Sequence, residues 1–198
     1  MNKRMYLLVA ALIAAAMSIS AVALQRQQNA LSEKLIRLHV VANSDSDYDQ
    51  KVKLMVRDAV LQALEPDLQK AEEPEAIIEE KLPVLKDIAE KVLKEQNLNM
   101  PVSVGLGYER FPTRVYDTFA LPAGVYHSLR VTIGAGEGRN WWCVVFPAIC
   151  LPAAGDMEEA AVEAGLTGEE IGLITEADGR YVVKFKILEM LQELQALL

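Results

Sequence analysis

Hydrophobic and polar positions along the chain change rhythm four times. An uncharged run from Met5 to Gln25 follows the positive pair Lys3 and Arg4. From Leu35 to Ala42 the pattern alternates, with Ile36, Leu38 and Val40 on one side of a strand and Arg37 and His39 on the other. Asn43-Ser44-Asp45-Ser46-Asp47 then supplies turn and N-cap side chains. Asp47 and Asp49 stand where a helix macrodipole favours negative charge. Val52, Met55, Val56, Ala59, Val60 and Ala63 form the apolar stripe of a helix over 46–64, which Pro66 is expected to stop. A second helical spacing starts at Pro74 and follows Ile78, Leu82, Leu85, Ala89 and Val92, and Pro83 inside it either kinks or divides the helix.

After a loop at 97–101 the chain becomes extended. Val102, Val104, Leu106 and Tyr108 alternate, as do Val125, His127, Leu129, Val131 and Ile133, with a turn at Leu121 to Gly124 between the two runs. Trp141 to Phe146 is almost continuously apolar, as in a strand covered on both faces. Residues 153–179 hold eight acidic residues, five glycines and no Lys or Arg, and read as a solvated linker or insertion. Val182, Phe185, Leu188, Leu191 and Leu194 then repeat at helical spacing, so 180–198 is expected to be an amphipathic helix that docks on the sheet or presents a partner-binding face. The fold class is α+β, helices packed on a mostly antiparallel sheet of four or five strands.

The N-terminal pattern divides the protein. A positive n-region, an apolar core and the small residues Ala21 and Ala23 make a signal peptide over 1–23, cleaved after Ala23. The alternative is an uncleaved anchor, because Met5 to Leu24 would span about 30 Å as a helix. Residues 24–34 read as a tether and 35–152 as the folded domain. Under either reading the chain beyond residue 24 lies outside the cytoplasm. In an oxidising compartment Cys143 and Cys150 read as a disulfide, two buried thiols being the alternative. The net charge of −8 argues against nucleic acid and anionic lipid surfaces. Any membrane contact would therefore run through the N-terminal segment.

Familiar chemistries fit poorly. Asp45-x-Asp47-x-Asp49 starts like a calcium loop, but Gln50 and Val56 occupy the positions that need Gly and Glu, leaving a capped helix start. Gly134-Ala135-Gly136-Glu137-Gly138 resembles a phosphate loop, yet Arg139 replaces the third glycine and a strand follows, so a glycine-rich β-hairpin is expected. Two His and two Cys offer little for a metal site, and no cofactor is implied. Cys143 as a nucleophile with His127 or His39 as base would need an electropositive, partly exposed setting, whereas its strand is apolar. Trp141 and Trp142 must point to opposite faces of their strand. One enters the core, and the other either covers the second face or anchors an interface.

Several strings are familiar in this order: Leu38 to Asp47 (LHVVANSDSD), Asp49-Gln50, Val56 to Val60, Phe111 to Tyr116, Leu121 to Tyr126, and Gly136 to Pro147 with Cys150. Over about 35–152 the chain resembles the stage II sporulation protein R family of endospore-forming bacteria. The segment between Pro147 and Cys150 departs from the family pattern, with Ala148-Ile149 where a second proline is expected, and 153–179 matches nothing in it. The resemblance implies a signalling protein rather than an enzyme. Such proteins are exported from the forespore into the intermembrane space, where they trigger a membrane-embedded aspartic protease that processes the sigma-E precursor. Contact with that partner is expected through Trp142, Glu137, Arg139, Asn140, Arg114 and Tyr116, with Cys143 and Cys150 fixing the loop. An exported thiol hydrolase acting on the cell wall is the alternative.

Overall fold

The computed structural model describes residues 25–69, 71–116, 119–147, 161–162 and 165–175, together with Tyr6, Leu8, Leu12, Val22 and Ala23. The signal segment is largely outside these residues, and the expected helix over 180–198 and Cys150 are wholly outside them. The described elements are helix α1 (helical at 25–33), β1 (Ile36–Val41), α2 (Asp47–Leu68), α3 (Pro74–Glu95), β2 (Val102–Phe111), β3 (Arg114–Val115), β4 (Ala120–Leu121), β5 (Gly124–Ile133), β6 (Asn140–Phe146) and α4 (Gly168–Thr175). Among the described residues they form a four-stranded sheet in the order β2-β5-β1-β6 and a two-stranded pair β3-β4. Two of the three pairings in the larger sheet are antiparallel and one, β1 with β5, is parallel. The α+β expectation holds.

Helix α2 begins as its sequence dictates. Ser46 caps it by accepting from the Asp49 amide at 3.1 Å, and Asp47 and Asp49 occupy the first turn. Asp49 in turn accepts from Asn43 Nδ2 at 2.9 Å and Ser44 Oγ at 2.6 Å. These bonds from Ser44 and Asn43 hold its carboxyl below the ordinary range despite burial. Pro66 departs from expectation, and of the two outcomes open to Pro83 division of the helix does not occur. Pro66 lies inside α2, which runs on to Leu68, and Pro83 lies within a single continuous α3. In each case one backbone hydrogen bond is forfeited. Fully buried neighbours on the same helix offset that loss: Leu64 and Leu68 in α2, Leu85 and Ala89 in α3.

The sheet separates two cores. Helices α2 and α3 cover the face carrying Ile36, Leu38, Val40, Leu129, Val131, Cys143 and Val145. A second cluster on the opposite face joins Leu31 and Leu35 to Phe111, Phe119, Leu121, Tyr126, Val144, Leu166, Ile171 and Ile174. Two segments expected to be solvated therefore contribute to it. Residues 24–34, read as a tether, include helix α1 with Leu31 fully buried. The region 153–179, read as a solvated linker or weakly structured insertion, contains α4, which buries Ile171 and Ile174 and is tied by Glu170 to Lys34, just beyond α1, at 2.7 Å.

The glycine-rich segment is not a hairpin. Strand β1 lies between β5 and β6, so residues 134–139 cross over the end of β1. The crossing is fixed by the β1–α2 loop. The amides of Ala135, Glu137, Gly138 and Arg139 donate to Asn43 Oδ1, the Asn43 and Ala42 carbonyls and Asp45 Oδ1 respectively. Gly134 and Gly136 adopt left-handed φ of 58° and 66°. At Gly138 a Cβ would collide with the Ser44 carbonyl.

Candidate functional site

Residues in register on neighbouring strands share a face, so the pairings define rows across the second face of the sheet. One row is Gly105, Arg130, His39 and Trp142, and the next is Gly107, Ser128, Arg37 and Val144. The Arg37/His39 alternation read from β1 thus places both side chains on the face away from α2 and α3. Both are buried, His39 at 5% exposure and Arg37 at 0%.

His39 is the centre of one network. Its Nδ1 faces both carboxylate oxygens of Glu109 at 3.3 Å, and its Nε2 faces Asn140 Oδ1 at 2.9 Å. Its ring stacks on Trp142 with centroids 3.8 Å apart. Glu109 also accepts from Ser128 Oγ at 2.6 Å and Arg130 Nη1 at 2.7 Å. Burial disfavours its charge, but the Ser128 hydroxyl, the His39 charge and the Arg130 guanidinium prevail and hold the carboxyl below its ordinary range.

Arg37 organises the adjoining network. Its Nε donates to the Cys143 carbonyl at 2.9 Å and its Nη2 to the Tyr116 hydroxyl at 3.0 Å, while Tyr116 donates to the Trp142 carbonyl at 3.1 Å. The guanidinium lies 4.4 Å from the centroid of Phe111 and 5.0 Å from that of Tyr126. Among the described residues its Nη1 has no hydrogen-bond partner, and no carboxylate forms an ion pair with it. A buried cation held by rings and neutral oxygens rather than by an acid carries a large desolvation cost. Tyr126, whose hydroxyl donates to the Pro122 carbonyl at 2.7 Å, has its pKa pushed far up by the same burial.

Four of the six expected contact residues meet here. Trp142, half-buried, packs edge-to-face on Phe111 at 4.7 Å, with the Arg114 guanidinium 5.8 Å from its ring. Asn140 joins through His39, and Tyr116 through Arg37. Glu137 and Arg139 belong instead to the crossover loop, where Arg139 faces Asp45 at 3.6 Å and its carbonyl accepts from Lys53. The expectation that the two indoles part is met. Trp141 packs at the margin of the first core under Arg57, whose guanidinium is 4.3 Å from its ring. Sequence reasoning singled out neither Arg37 nor Glu109 as a functional residue. The available signal was an Arg and a His in phase on a strand too apolar to be solvated.

The hydrolase alternative gains nothing from this geometry. Cys143 is 3% exposed in the core beneath α2 and α3, on the opposite face from His39. The ring of His127 is engaged by Glu75 at 2.6 Å and stacked on Tyr108.

The model of one family, Stage II sporulation protein R, matches residues 32–156. The chain is also similar to the stage II sporulation protein R of Bacillus subtilis (strain 168), at 38% identity over 147 residues. That match takes in 73% of this chain and spans 66% of the length of the relative. No solved structure matches. Both networks fall within the family match, whereas α4 falls beyond it.

Proposed function

The chain belongs to the stage II sporulation protein R family and so has a role in sporulation; from that premise we propose that it is an exported signal, not an enzyme, that activates the membrane-embedded aspartic protease processing the sigma-E precursor. It leaves the forespore through its N-terminal segment and meets the extracytoplasmic part of the protease in the intermembrane space.

One observation carries this reading. The buried His39 and Arg37 hold Trp142, Asn140 and Tyr116 in a single patch, and Arg114 lies beside the Trp142 ring. A large aromatic side chain held in place by neighbours is the type of anchor that dominates protein interfaces, because little conformational entropy remains to be lost on binding. A ligand activates its receptor only through differential affinity for the active state. To carry the protease from about 1% to about 99% active, that difference must reach roughly 10⁴-fold. Cys143 and Cys150 form a disulfide in this reading, which agrees with the lack of a free cysteine among the described residues.

The test is reconstitution of protease and sigma-E precursor in a non-sporulating host with this chain supplied in exported form. Precursor processing that depends on the chain is expected. Trp142→Ala should lower it at least tenfold while the purified variant keeps its cooperative unfolding. Processing unaffected by the presence of the chain would refute the assignment.

A further inference from the structure

Strand β2 is one edge of the main sheet, and no described strand pairs with its outer side. It is ten residues long and pairs with β5 without a register shift, from Val102 opposite Ile133 to Phe111 opposite Gly124. Exposed edges are usually blunted by Pro, Lys, a bulge or a covering element, because a row of unpaired amides and carbonyls is a template for another strand. β2 carries neither Pro nor Lys. The other edge, β6, is broken by a register shift opposite Ile36/Arg37, whereas β2 runs unbroken between the flanking Pro101 and Pro112.

The two faces of β2 differ in a way that specifies what could pair with it. On the side shared with Arg130, a Cβ at Gly105 or Gly107 would meet nothing within 4 Å, and neither glycine has the left-handed φ that would explain its presence. Glycine in a strand interior without such a need marks the close approach of another group. On the other side Val104 and Leu106 are half-buried at the margin of the first core, and Tyr108 is 75% exposed.

We propose that the β2 edge is a strand-addition site for an extended segment of a partner protein whose side chains alternate. Apolar residues on one face of that segment would cover Val104, Leu106 and Tyr108, and an aromatic residue on the other would lie over Gly105 and Gly107. Backbone hydrogen bonds supply affinity in this mode, and alternate side chains supply specificity. Covering an edge glycine with a cross-strand aromatic is a recognised means of stabilising a sheet. The exposed guanidinium of Arg130, oriented by Glu109 at 2.7 Å and Thr132 at 3.2 Å, offers its plane to the same ring. This surface lies at the other end of the row from Trp142, about 14 Å away across three strand spacings. It does not depend on the identity of the protease.

The test follows amide exchange in the full chain by nuclear magnetic resonance. The probe is an acetylated peptide of alternating Val and Tyr flanked by Lys. Alternate amides within 102–111 should exchange freely in the chain alone and slow at least tenfold with the peptide. The same peptide N-methylated at alternate residues should give no protection. Gly105→Lys, which places a charge in open space on the edge, should leave unfolding unchanged and weaken the peptide at least tenfold. Outer amides already protected in the dilute chain would show that the chain covers its own edge. Protection rising with protein concentration would assign the edge to a second copy. Equal binding by Gly105→Lys, or no protection at millimolar peptide, would equally overturn the proposal.

Discussion

Replacing Glu109 by Gln keeps an acceptor oxygen in the same place and removes its charge. Three bonds are affected: Ser128 Oγ at 2.6 Å, Arg130 at 2.7 Å and His39 at 3.3 Å. A hydrogen bond to a charged group contributes about 1.5–3 kcal/mol, against about 0.5–1.5 kcal/mol for a neutral one. The buried Ser128 and His39 contacts should each lose about 1 kcal/mol on that scale. Arg130, its side chain 49% exposed, adds less than about 0.5 kcal/mol through water screening. The expected loss at neutral pH is therefore roughly 2 kcal/mol. Its pH dependence has a definite sign. The Glu109 carboxyl is held below the ordinary value of 4.5, since the Ser128 bond, the His39 charge and the Arg130 bond together outweigh burial. Its contribution is thus complete above that value and disappears as pH falls through the lower folded one. Urea unfolding followed by Trp fluorescence, which reports Trp142 against His39, should show Glu109→Gln less stable at pH 7. The gap to wild type should close as pH falls through the lowered folded value and the wild-type carboxyl also becomes neutral. Asp49 and Glu170, held low in the same way, still give the variant an acid transition of its own. No loss at pH 7, or a gap constant across the range, would refute Glu109 as the charged hub.

Three further outcomes can be measured. Gly138→Ala drives a Cβ into the Ser44 carbonyl and should cost more than about 2 kcal/mol by chemical denaturation, whereas Gly105→Ala, in open space, should cost nothing or stabilise slightly. Ser46→Ala removes the cap of α2 and should cost about 1 kcal/mol in the same assay, with Asp49→Ala costing more because Asn43 and Ser44 also lose their acceptor. Cys150→Ser should lower stability by about 2.5 kcal/mol on the chain-entropy estimate for a loop of this length, and thiol labelling of the denatured protein should then find one reactive cysteine where wild type has none.

Local signals proved legible, and long-range ones did not. The cap of α2 could be read because Ser46 and the residues it serves lie within three positions. The strands were visible from their alternation, but not the placement of β1 between β5 and β6, since nothing in a period of two specifies a partner. Pro66 does not stop α2 as expected, because the burial of Leu68 overrides local propensity. In the site, Trp142 and Tyr116 were legible as aromatic residues in unusual strings. The His39–Glu109 pair, 70 positions apart, became meaningful only once β5 aligned β1 and β2 on its two sides.

The position of β1 constrains how the molecule can be made. It is the first of the described strands and the second-to-last in spatial order, and both neighbours in the sheet start beyond residue 123. Joining Ile36 to His127 closes a loop of about 90 residues, at an entropic cost of about 4 kcal/mol before the contact returns anything. Helices α2 and α3 have no complete sheet to cover until that happens. A polypeptide emerging amino end first therefore has no stable partial fold to adopt until residue 146 is free. Such an architecture suits the export proposed above, because the fold cannot close until most of the chain has been released.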